Sequence, residues 1–242
     1  MTEARPAFYA LARGGWRDYV TLLHTPYTAW HLSFVVIGAM LAPEVHWGRV
    51  SAAVAAFFLG VGIASHALDE LNGRPLQTRI PEPLLVGLTV VSLGGAIGIG
   101  IAGAVAFDLW LLAFVALGAA LVPVYNLELL GGRFHNDVTF ALAWGAFPLL
   151  TGYFACAEAI SWEALLAAAF AGLLSYSQRV LSTPVRQMRR RVAAVSGTIE
   201  LHDGQREPID LESLMGTQET ALRALSAATV CLATALLVLR LT

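Results

Sequence analysis

The chain of 242 residues contains no lysine, so its 15 basic side chains are all arginine. Charge of either sign is scarce: 13% of residues are charged, against about a quarter in an ordinary soluble domain. That shortfall excludes a typical water-soluble fold and points to a membrane protein. Cys156 and Cys231 lie far apart in apolar stretches, which excludes a disulfide framework and cysteine-based zinc spacing. The formal net charge of -2 leaves no basic excess for nucleic acid, and no nucleic-acid partner is expected. Residues 1–28 are mixed and polar, without the short apolar core and small-residue cleavage site of a secretory signal. The chain is therefore expected to enter the membrane through its own first helix.

What is abundant is apolar length: 57% of residues are hydrophobic. A membrane-crossing helix needs about 20 mostly apolar residues. About seven stretches qualify, near 26–47, 49–70, 82–108, 109–127, 137–157, 162–182 and 218–241. Thr25 is the expected N-cap of the first, with Pro26 at its first helical position. Arginines gather before the first stretch, after the second and fourth, and around the end of the sixth, while Arg49 and Arg240 stand on the opposite side. The positive-inside rule then places the N-terminus in the cytoplasm and the C-terminus outside. The expected fold is an all-α integral membrane bundle of about seven helices, one membrane domain over 1–242. The third stretch, "GGAIGIGIAG", carries small residues at i and i+4 that suit close helix packing, and Pro123 and Pro148 predict kinks. Residues 186–216 read as a cytoplasmic insertion with an arginine-rich start and a β-hairpin turning at Asp203-Gly204.

With this topology the polar side chains collect at one membrane face. His31 lies about one turn inside the first helix and His66 about one turn before the end of the second. Tyr125, Asn126 and Glu128 close the fourth helix; His135, Asn136 and Asp137 open the fifth; Tyr176, Gln178 and Arg179 lie near the end of the sixth. Ionisable groups inside a spanning helix are costly and usually face a cavity, a partner or a pathway. A cavity open to the cytoplasm is the reading this ring supports. His66, Asp69 and Glu70, at i, i+3 and i+4, share a helix face that suits either a divalent metal or an ion-paired cap with Arg74.

Over residues 20–195 the chain resembles the UbiA-type intramembrane prenyltransferases. "HTPYTAWHLSFVVIGA" stands in the place of that family's first helix, and "SHALDELNGRPL" falls at its first Asp-rich motif. "VPVYNLELLGGRFHNDVTFALAWGAFPLLTGY" is similar to its Tyr-containing loop and following helix. The resemblance implies a cavity for an isoprenoid diphosphate and an acceptor, with Mg²⁺ as cofactor. It departs from the family in three ways. Ser65 and His66 stand where Asn and Asp are usual, the second Asp-rich motif is replaced by the acid-free "SYSQRVLSTPVRQMRRR", and the family commonly has more spans.

Three functions follow as expectations. The first is prenyl transfer from a diphosphate donor to a lipid or aromatic acceptor. Asp69, Tyr125 and Asn126 would be catalytic, and Asn72, Arg74, Arg133, Tyr176 and Arg179 would bind the diphosphate or substrate. The second is a membrane enzyme using a transition metal such as Fe or Zn held by His31, His66, Asp69, Glu70 and His135, because imidazole suits such metals better than Mg²⁺. The third is a non-catalytic subunit binding a membrane lipid or isoprenoid, with residues 186–216 docking a membrane or cytoplasmic protein partner.

Overall fold

The structure, a computed structural model, describes residues 5–242; the first four positions of the polar N-terminal stretch lie outside it. Its elements are α1 (Trp16–Leu22), α2 (Thr25–Leu41), α3 (Trp47–Leu71), α4 (Glu82–Ala106), α5 (Leu111–Asn126), α6 (Asp137–Ala157), α7 (Trp162–Arg191), β1 (Gly197–Glu200), β2 (Arg206–Ile209) and α8 (Leu211–Leu241). The chain is an all-α membrane protein: α3, α4, α6, α7 and α8 are long and apolar enough to cross a bilayer, and α5 is apolar but shorter.

Helix α2 is the hub. It buries Trp30, Phe34 and Ile37 against Leu149 of α6, Ala168 and Ala171 of α7 and Ala233 of α8. Backbone meets backbone along the α2–α6 seam. A Cβ on Gly38 would lie 2.0 Å from the Leu149 carbonyl oxygen, and one on Gly152 would lie 2.1 Å from that of Val35. Without lipid-excluding hydrophobic force between helices, such close approach supplies the packing. The glycine-rich stretch of α4 packs in part: a Cβ on Gly100 would lie 2.5 Å from Val115 and one on Gly95 3.1 Å from Leu59, whereas Gly94 and Gly98 face open space.

Three helix boundaries differ from expectation. The N-cap of α2 is His24, in left-handed conformation at φ 45°, and Thr25 is the first helical residue. The His24 side chain makes no cap bond, since it turns toward α3 instead. Helix α7 does not end near 182; the Ser182 and Thr183 hydroxyls bond the Arg179 carbonyl and the helix runs on through Pro184 to Arg191. The arginine-rich start expected of the insertion is therefore helical. Asp210 and Ser213 form a capping box that starts α8 earlier than expected. Between them stands an exposed hairpin with Gly197 opposite Ile209 and Glu200 opposite Arg206. Gly204 at φ 82° makes its turn.

Helices α3 and α6 each contain a π-helical turn, Phe58–Ser65 and Leu142–Ala146. Such turns re-aim side chains and occur often at functional sites. The first ends immediately before His66, and the second contains Trp144.

Candidate functional site

Where α2, α3, α5, α6 and α7 come together at one end of the bundle they leave a cavity of about 540 Å³. Each wall has its own chemistry. From α7 come Gln178, Arg179, Thr183, Arg186, Gln187, Arg190 and Arg191. The spacing of Arg179, Thr183, Arg186 and Arg190 puts them along one helical stripe. From α3 and the residues after it come Ser65, His66, Asp69, Asn72 and Pro75, and from the N-terminal segment and α2 come Tyr9, His24, Tyr27 and His31. Tyr125, Asn126, Glu128, His135, Phe140 and Trp144 complete the lining.

The aromatic wall is held by polar contacts behind it. Pro148 brings no N–H to α6, so it cannot bond the Trp144 carbonyl four residues earlier; that oxygen accepts from His31 Nδ1 at 2.7 Å. His135 stacks on Tyr125 with centroids 4.5 Å apart, and Tyr125 packs against Trp144 at 4.7 Å. His135 Nδ1 donates to the Tyr125 carbonyl at 3.0 Å, leaving Nε2 to accept from Arg179 at 3.3 Å. Asp137 receives Arg179 Nε at 3.2 Å, so this guanidinium is fixed from behind. Asn126 Nδ2 donates to Ser65 Oγ at 2.8 Å, and Asn72 Nδ2 donates to the Asn126 carbonyl at 3.0 Å.

Opposite stand two stacked imidazoles, His24 and His66, with centroids 3.9 Å apart and planes 12° from parallel. Thr28 spends its hydroxyl proton on the Leu23 carbonyl, so His66 Nε2 must donate to Thr28 Oγ1 at 3.5 Å, and its Nδ1 is the bare nitrogen. Asp69 lies 4.0 Å from that nitrogen. Tyr9 hydroxyl pairs with His24 Nδ1 at 3.0 Å. Burial holds His24 well below the usual histidine range, helped by neighbouring His66, Arg190 and Arg186, and burial pushes the Tyr9 phenol up. Both are neutral at pH 7.

Four atoms of cavity-lining residues are buried with no hydrogen-bond partner: His24 Nε2, His66 Nδ1, Tyr125 hydroxyl and Gln178 Oε1. Native proteins rarely leave such groups unmet unless a ligand or water meets them.

Of the residues expected at the site, His31, His66, Asp69, Asn72, Tyr125, Asn126, His135 and Arg179 converge here. Four do not. Glu70 is fully buried on the other side of α3, where its carboxylate accepts from Leu76 N–H at 3.0 Å, Thr78 N–H at 2.7 Å and Thr78 hydroxyl at 2.9 Å. Arg74 donates to the Thr78 and Ile80 carbonyls and closes the same loop. Arg133 is exposed, and Tyr176 points outward. Tyr9, His24, Tyr27, Thr183, Arg186, Gln187, Arg190 and Arg191 were not foreseen as site residues. Tyr27 and Arg186 could have been found by helical spacing, since they stand four before His31 and seven after Arg179.

The expected metal ligands are not assembled. Among the described residues no group of three or more His, Cys, Asp and Glu side chains is placed to hold a metal ion. Both nitrogens of His135 are spent, Glu70 is turned away, and Asp69 is left facing a row of arginines. The donor set does not fit Mg²⁺ or a transition metal.

Beside the cavity runs an apolar cleft of about 130 Å³ between α3, α4, α5 and α6, lined by Phe57, Phe107, Phe114 and Phe147 and by glycines of α4. Trp144 belongs to both spaces. No family model, curated protein or solved structure matches this chain.

Proposed function

We propose that this protein is a membrane prenyltransferase of the UbiA type, moving an isoprenoid group from a diphosphate donor to a lipid or aromatic acceptor. In this reading the shorter α2 and α5 cross the bilayer together with the five long helices, and the arginine-bearing end faces the cytoplasm. The observation that carries the proposal is one continuous wall, Trp144, between an arginine-lined cavity and an apolar cleft. An amphiphile with a polyanionic head and a hydrocarbon tail fits that pair. The diphosphate lies against α7 and the tail lies along the phenylalanines.

Chemically, the allylic C–O bond breaks with its electron pair departing on the diphosphate. The rings of Tyr125, Phe140 and Trp144 face the allylic cation, and an aromatic face stabilises a cation by about 0.5 to 2 kcal/mol. The acceptor forms the new bond to that carbon and releases one proton, which the departing diphosphate takes up. Asp69, on the opposite wall, orients the acceptor through a hydrogen bond. Asp69 also stands without a second carboxylate from its own motif, which supports a second reading, a non-catalytic isoprenoid-binding subunit.

Allylic diphosphates of increasing chain length, added to the purified chain with membrane extract as acceptor, test the proposal. Release of pyrophosphate coupled to a prenylated product is expected. Binding without release at any chain length favours the binding subunit.

A further inference from the structure

We propose that the cavity holds its diphosphate by arginine alone, with no divalent cation; this rests on the reading above that the ligand is a diphosphate. Four guanidinium groups face the space, those of Arg179, Arg186, Arg190 and Arg191, against the carboxylates of Asp69 and Glu128. They are not equivalent. Arg179 is neutralised by Asp137, and Arg189, which points out of the cavity, is neutralised by Glu219 at 2.5 Å. Arg186 has only the neutral Thr183 hydroxyl at 3.2 Å, and Arg190 has no carboxylate partner among the described residues. Arg186 and Arg190, one turn apart on one face of α7, are thus without a carboxylate in salt-bridge contact, and Arg190 feels Asp69 and Glu70 only from farther off.

A divalent cation placed here would be repelled by these groups and would find Asp69 without Glu70 beside it. An anion gains from the same arrangement, because guanidinium presents a rigid fork of donors matched to phosphate oxygens. The unpartnered Tyr125 hydroxyl can donate a further hydrogen bond to it. Neutralising the leaving group, the task an Mg²⁺ ion performs elsewhere, falls to Arg186 and Arg190.

The test uses the full chain in detergent and a non-cleavable S-linked allylic thiodiphosphate, with binding read from tryptophan fluorescence and calorimetry in EDTA and in MgCl₂. Inorganic pyrophosphate, the second probe, reports the head-group contribution without a tail. The dissociation constant is expected to be the same in EDTA and MgCl₂ to within about twofold, and Arg186→Met and Arg190→Met are each expected to weaken binding about tenfold or more. Arg186→Lys and Arg190→Lys, which keep the charge and the fold, are expected to lose less. Binding that needs Mg²⁺ overturns the metal-free site and leaves the diphosphate reading standing. Wild-type affinity in folded Met variants also overturns it. No binding of the thiodiphosphate with or without Mg²⁺ removes the diphosphate reading itself.

Discussion

Helices α2 and α6 meet twice, and the two meetings are opposite in character. At Gly38 and Gly152 their backbones touch with no room for a methyl group. Toward the other end the same pair parts around His31 and Trp144, and a cavity of about 540 Å³ opens. The closed end fixes the distance between the helices, and the open end inherits it. The His31–Trp144 bond marks the change from one to the other. Rigidity at the seam is what lets buried polar groups stand unpaired a few turns away without the walls collapsing on them.

The sharpest way to break this contrast is to fill the seam. Gly38→Ala or Gly152→Ala drives a methyl group into a backbone carbonyl, which no side-chain rotation relieves. The expected loss is about 3 to 5 kcal/mol, seen as a lowered unfolding midpoint in detergent. Gly94→Ala and Gly98→Ala in α4 meet open space and are expected to stay within about 0.5 kcal/mol of wild type or to stabilise slightly. Equal effects at the two pairs would mean that the α2–α6 seam is not where the bundle is locked.

A second contrast lies between neighbours in sequence. Glu70 holds the loop 72–81 with three hydrogen bonds and no exposure, whereas Asp69 faces the cavity with a side chain 32% exposed. In Glu70→Gln an amide N–H₂ must face a backbone or hydroxyl donor, so a stability loss of about 2 to 4 kcal/mol is expected. Asp69→Asn should change the unfolding midpoint by under about 0.5 kcal/mol while altering acceptor use. Destabilisation by Asp69→Asn as large as that by Glu70→Gln would erase the distinction.

The convergence of His66, Asp69, Tyr125, Asn126, His135 and Arg179 was legible because each is a polar residue at the end of an apolar stretch, and topology alone brings such ends together. Glu70 misled for a physical reason: its partners are mainly backbone N–H groups of Leu76 and Thr78, which leave no mark in the sequence. Arg186 and Arg190 fall in the expected insertion because the apolar stretch ends near 182, whereas the helix runs on through Pro184 to Arg191. The glycines of "GGAIGIGIAG" looked like packing residues because they cluster. Only some of them pack, Gly100 against Val115 among them, and the tightest backbone contacts come from Gly38 and Gly152, which are single and look ordinary. Which face of an apolar helix meets protein and which meets lipid is decided by its neighbours, and hydropathy does not distinguish them.

The smallest expected effect tests how closed the cavity wall is around the His24–His66 stack. Burial keeps His24 neutral, with its pKa well below the ordinary value of about 6.5. In the unfolded chain the same ring takes up a proton as pH falls past about 6.5, whereas the folded ring does not. The unfolded state then binds more protons, so the stability His24 contributes is present above that pH and is lost as pH falls through the window toward the folded pKa. The loss should grow steadily as pH falls from about 6.5 toward 5. His24→Gln keeps an acceptor for the Tyr9 hydroxyl but cannot titrate. Unfolding midpoints of the two proteins, measured from pH 7.5 to pH 5, should therefore differ in slope, with the wild type falling faster. Parallel curves would mean that water reaches His24 freely, and that this side of the cavity is as open as the seam is closed.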